Sequence, residues 1–70
     1  NRYMIIYTVV EIDYPNGLSS SYEVNEWTFT SKEKAEKFAK EKQNKYSMAM
    51  ITSGYRYNTV NVFHSFLPDF

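Results

Sequence analysis

The sequence predicts an α+β protein in the order β-β-α-β: a three-stranded antiparallel sheet, strand order 2-1-3, with one helix packed on one face. Three observations predict it. All six lysines fall between Lys32 and Lys45, in a segment whose apolar residues recur at helical spacing. Tyrosine-rich sequence with many β-branched residues flanks that segment on both sides. The turn signal Pro15-Asn16-Gly17 interrupts the first flank, so that flank reads as two strands joined in a hairpin.

Residues 3–14 (YMIIYTVVEIDY) form the first strand and, as the most hydrophobic, take the centre of the sheet, where two neighbours satisfy the backbone. The Asn16-Gly17 pair suits the positive φ angles of a tight turn. Residues 20–30 form the second strand. There Tyr22 and Val24 have one parity and Trp27 and Phe29 the other, so keeping all four inward needs an extra residue, predicted as a β-bulge near Asn25-Glu26.

A helix is predicted over residues 31–52. Thr30 or Ser31 serves as its cap, and Thr30 and Glu33 stand at capping-box spacing. Ala35, Phe38, Ala39, Tyr46, Ala49 and Met50 make its apolar stripe, and Gly54 is the stop signal. Glu33 with Lys37, Glu36 with Lys40 and Glu41 with Lys45 are i,i+4 pairs on the wet side. A competing reading ends the helix near Asn44 and makes a short strand of residues 47–52, because Met48 and Ile51 lie off the stripe. Residues 55–66 form the third strand, Pro68 ends it, and residues 67–70 are a tail.

Seventy residues make a single domain, 1–70, and so short a chain buries only about 60% of the surface its unfolded form exposes. Cysteine is absent and His64 is the single histidine, so neither a disulfide framework nor a Cys/His zinc site is available. Oligomerisation is the remaining route to stability. The apolar run from Met4 to Val10 is far shorter than the roughly 20 residues that cross a bilayer, and a signal-peptide cleavage pattern is missing. The expectation is a soluble cytoplasmic protein.

No catalytic, cofactor-binding or metal-binding residue is assigned, and the chain is expected not to be an enzyme. Ser19-Ser20-Ser21 and His64 offer a Ser/His pair only in outline, without a nucleophile elbow or a local acid. Glu11, Asp13, Glu23 and Glu26 lie on the hairpin strands. As a cluster they read either as a site for a hard cation such as Mg²⁺ or Ca²⁺ or, in the favoured reading, as a solvated rim that keeps strand edges from pairing. Partner binding is assigned to these four. The helix is basic, with six lysines against Glu33, Glu36 and Glu41, while the rest of the chain is acidic and the formal net charge is zero.

Thirteen residues are aromatic, and one helix covers only one face of a three-stranded sheet. Strand 1 is apolar on both sides: Met4, Ile6, Val10 and Ile12 point one way, Tyr3, Ile5, Tyr7 and Val9 the other. A homodimer is therefore expected through the uncovered face, assigned to Tyr3, Ile5, Tyr7 and Val9; if the helix lies on the Tyr7 side, Ile6 becomes the interface residue. An aromatic sheet face also suits RNA or single-stranded DNA, but such sites add a basic groove, and here the lysines lie on the helix. Nucleic acid is the alternative, not the first, reading.

With Tyr3 to Tyr14, the Asn16-Gly17 turn and the run Trp27-Thr28-Phe29-Thr30-Ser31-Lys32-Glu33-Lys34-Ala35-Glu36-Lys37-Phe38 laid out, the chain resembles a group of short β-β-α-β proteins of bacteriophages and their bacterial hosts. The likeness spans residues 3–66 and carries no catalytic residues. It implies a small protein-binding module, a phage-encoded modulator or inhibitor of a host protein. Replication machinery such as the DNA sliding clamp, RNA polymerase and defence nucleases are the candidate targets.

Overall fold

A computed structural model describes residues 2–18, 21–44 and 48–69. Tyr46 of the predicted stripe, the Glu41/Lys45 pair, Ser19, Ser20 and Phe70 fall wholly or partly outside them. The elements are β1 (Arg2–Tyr14), β2 (Glu23–Phe29), α1 (Lys32–Lys42), α2 (Met48–Thr52) and β3 (Tyr57–Asp69). They make one antiparallel sheet in the order β2-β1-β3, with α1 lying across all three strands. The predicted α+β architecture is the observed one.

The register decides which residues share a face. Tyr7, Val9, Glu11 and Asp13 lie opposite Phe29, Trp27, Asn25 and Glu23 of β2, and opposite His64, Val62, Val60 and Asn58 of β3. Directly opposed residues point the same way, so these form one face. It is the face beneath α1: Val9 is 0% exposed, and Phe38 of the helix packs its ring 4.9 Å from Trp27 and 5.3 Å from Phe29. Lys42 lays its amine 4.9 Å from the Trp27 ring centre, a cation–π contact that closes the cluster at its wet edge.

Several local expectations are corrected. β2 pairs without interruption from Glu23 to Phe29, so there is no bulge; Val24 faces the open side and Trp27 and Phe29 the helix side. The turn is made by Tyr14 to Gly17, closed by the Gly17 amide donating to the Tyr14 carbonyl, with Pro15 in the second position and only Gly17 at positive φ. The helix stops at Gln43, whose extended backbone breaks the spiral, and α2 restarts it in a different phase. That shift buries Ile51 and exposes Ala49 and Met50, the reverse of the continuous stripe, and residues 48–52 are not a strand. Gly54, at φ +93°, follows α2 as its stop.

The cap of α1 is Ser31, whose hydroxyl accepts from the Lys34 amide at 3.3 Å. Ser31→Ala should lower stability by about 1 kcal/mol, read as a modest fall in thermal midpoint, and Ser31→Asp should leave it nearly unchanged.

β3 runs through the predicted tail: Leu67, Pro68 and Asp69 pair with Met4, Tyr3 and Arg2. A proline inside a strand needs its nitrogen on an unpaired edge. At Asn58 and Val60 the peptide groups point away from β1, because both bond the Gln43 side chain. The register is unbroken from there to Asp69, so every second residue repeats that direction and the Pro68 nitrogen faces the outer edge, where no ladder bond is lost.

Candidate functional site

Two surfaces stand out, a polar cluster buried under the helix and an open sheet face on the other side. The cluster forms where α1 ends. Asn58, 4% exposed, donates to Glu11 Oε2 at 2.5 Å and to the Lys42 carbonyl at 2.7 Å, and its Oδ1 accepts from the Asn44 amide at 2.7 Å. Gln43 docks its amide on the β3 edge like a strand peptide, donating to the Asn58 carbonyl at 2.8 Å and accepting from the Val60 amide at 3.1 Å. Asn25 donates to Glu11 Oε1 at 3.1 Å. The orphan carbonyl of the last helical turn is thereby held by a strand side chain rather than by water.

Asp13, 2% exposed, accepts two bonds from Arg56, at 3.1 Å from Nε and 2.7 Å from Nη2. The guanidinium itself is largely exposed and its pKa is raised above the ordinary value, first by the hydrogen bond to Asp13 and then by the Asp13 charge. No buried side-chain polar atom among the described residues lacks a partner. The cluster is a structural joint that ties the end of α1 to β1 and β3.

This arrangement revises the acidic surface. Glu11 and Asp13 are buried and bonded within the chain, and so cannot meet a partner. Glu23 and Glu26 stay exposed, but Glu23 shares the Asp13 face and Glu26 points to the opposite one. The four carboxylates do not form one patch. The parity that puts Glu11 and Asp13 in line with Tyr7 and Val9 is visible in the sequence; the side-chain amides of Asn25 and Asn58 that receive Glu11 carry no such local signal.

The assigned dimer face changes for the same reason. Tyr7 and Val9 lie on the helix side, and Val9 has no exposed surface to offer. Tyr3 and Ile5 have the same parity but extend past the helix and are 65% and 41% exposed. The uncovered face is that of Ile6, Val10 and Ile12, flanked by Val24, Glu26 and Thr28 of β2 and by Thr59, Asn61 and Phe63 of β3. Val24 and Phe63 are more than half exposed, and the described charged side chains on this face are Glu26 and Arg2. At one end Tyr14 stacks on Tyr57, ring centres 6.0 Å apart, and meets Tyr22 at 5.7 Å.

A shallow groove separates α1 from β3, bordered by Glu36, Lys37, Lys40, Gln43, Val60 and Val62. His64 is exposed and lies opposite Tyr7. No helix among the described residues is long and apolar enough to cross a membrane. Comparisons of the chain with protein-family models, curated proteins and solved structures returned no match.

Proposed function

We propose that this chain is a non-enzymatic protein-binding module that acts by stoichiometric contact through the open face of its sheet. The observation that carries the reading is the composition of that face: exposed Val24 and Phe63 around half-buried Ile6, Val10 and Ile12, with little charge. Exposed apolar surface of this extent marks a contact surface on a protein that must stay in solution. The likeness to phage proteins gives the specific form of the proposal, a modulator or inhibitor of a host protein in the host cytoplasm. The replication machinery, RNA polymerase and defence nucleases are the targets to test first.

The charge layout supports a protein partner over a nucleic acid. The lysines of α1 lie across the sheet from the open face, and a base-stacking surface without phosphate-binding cations near it binds oligonucleotides poorly.

The test pairs the native chain with a Val24→Lys/Phe63→Lys variant, both positions being exposed on flanking strands so that the fold is spared. Affinity capture from bacterial lysate, read by mass spectrometry and followed by titration with the purified partner, should show one protein held near 1:1 by the native chain and lost by at least tenfold with the variant. Equal retention by both would place binding elsewhere. Salt-sensitive retention of RNA or single-stranded DNA, abolished by nuclease, would establish the alternative.

A further inference from the structure

β2 covers only part of β1. It pairs with Tyr7 to Asp13, whereas β3 pairs with the whole of β1, so residues 2–6 and 65–69 project as a two-stranded arm. The arm is apolar on both faces: Tyr3, Met4, Ile5, Phe66 and Leu67 are all more than 40% exposed. It also has an open backbone edge. Because Asn58 turns its peptide groups away from β1, its opposite number Asp13 and every second residue from it turn theirs towards the β2 side. In the arm these residues are Tyr3 and Ile5, and no described residue pairs with them on that side.

We infer that the arm binds a second copy of this chain, edge to edge and antiparallel, about a two-fold axis beside Met4. The notch left by the short β2 is five residues long, and the arm of another copy supplies a strand of that length. The fit sets the register. Tyr7 already faces Phe29, so the stretch paired with the incoming strand ends at Ile6. Setting Tyr3 opposite Ile5 of the second copy pairs residues 2–6 with residues 2–6 and brings Arg2 of that copy to the last free position, opposite Ile6; moving the strand on by two residues would put its Tyr3 opposite Tyr7, in the place of Phe29.

The surface chemistry agrees. In this register Leu67 and Met4 continue into Met4 and Leu67 of the second copy on one face, and Phe66 and Ile5 continue into Tyr3 and Pro68 on the other. The β1 edge lacks the usual guards against pairing, since residues 3–6 contain no charge, proline or bulge. The outer edge of β3, by contrast, carries Pro68 and is occupied near Val60 by Gln43.

The area fits as well. The chain exposes 5485 Å², where a compact 8.3 kDa protein exposes about 4,600 Å². The excess, about 900 Å², is of the order that each partner gives up in an interface of standard size, roughly 800 Å², and the arm shares it with the open sheet face. The dimer uses a strand edge and leaves the open sheet face free, so it stands or falls independently of what that face binds.

Sedimentation at 10 to 100 micromolar (about the range for an interface of this size) tests the inference. The native chain should run at twice 8.3 kDa. Ile5→Pro removes an N–H that faces only the notch, and should run as a folded monomer by circular dichroism. Phe66→Pro removes one that faces the outer edge of β3, and should stay dimeric. Met4→Cys puts the only cysteine of the chain at the two-fold axis in a non-hydrogen-bonded pair, where Cα atoms lie about 4.5 Å apart, and should oxidise to a covalent dimer far faster folded than in denaturant. A monomeric native chain, a dimeric Ile5→Pro, a monomeric Phe66→Pro or cross-linking of Met4→Cys no faster folded than unfolded would each overturn the proposal.

Discussion

Replacing Asn58 with Leu should destabilise the fold by about 3 kcal/mol or more, the cost of breaking a buried, charge-bearing hydrogen-bond network. Leucine nearly conserves the volume, so the loss is polar. The Glu11 carboxylate keeps only Asn25, and the Lys42 carbonyl and Asn44 amide lose the side chain that ties the end of α1 to β3. Domains of this size have about 4 to 10 kcal/mol in all. The thermal midpoint should therefore drop by roughly 15 °C, at about 4 to 8 °C per kcal/mol. Glu11→Leu/Asn58→Leu should recover part of that drop, because the second change removes the stranded charge. A single-variant drop of a degree or two would show that water replaces Asn58 without loss.

Gly17 is the second sensitive point, for a steric reason. Its φ is +89°, and a Cβ there would stand 2.8 Å from the Gly54 Cα, a backbone atom that cannot swing aside. Gly54 has a similar φ of +93° but open space around its would-be Cβ. Gly54→Ala should then cost only the left-handed backbone, about 1 kcal/mol, while Gly17→Val adds a clash and should cost about 3 kcal/mol or more. Chemical denaturation of the two variants gives the comparison. Equal losses would mean that the hairpin turn does not rest on the loop after α2.

Much of this architecture could be read from residue pattern. The Ser31 cap, the lysine-rich helix and the hairpin at Pro15 each carry a local signal, and antiparallel pairing of the first and last strands follows from the order of elements. Two things could not be read in the same way. Which side of β1 receives the helix depends on α1 being set down over Val9 and Val62, and β1 is apolar on both sides, so periodicity favours neither. The fate of Glu11 and Asp13 depends on partners 14 to 47 residues away, Asn25, Arg56 and Asn58. An acid in a strand reads as solvent-facing until such donors are brought to it.

A bulge near Asn25-Glu26 is needed only if Val24 and Trp27 belong to one core. The regular strand instead gives Trp27 to the helix and Val24 to the open face, the first sign that this sheet has two apolar sides. The helix break at Gln43 has a similar origin. Helical spacing continues through residues 45–50, but the Gln43 and Asn44 amides bond to β3, and those bonds end the spiral.

The central claim is that one sheet face is covered by α1 and the other is bare. Methyl NMR in the presence of a soluble gadolinium chelate tests it directly. Strong broadening of the Val24 and Val10 methyls, with Val9 and Ile51 protected, is the predicted result. Protection of Val24 and Val10 would contradict the account, whether because the helix or a second copy covers that face.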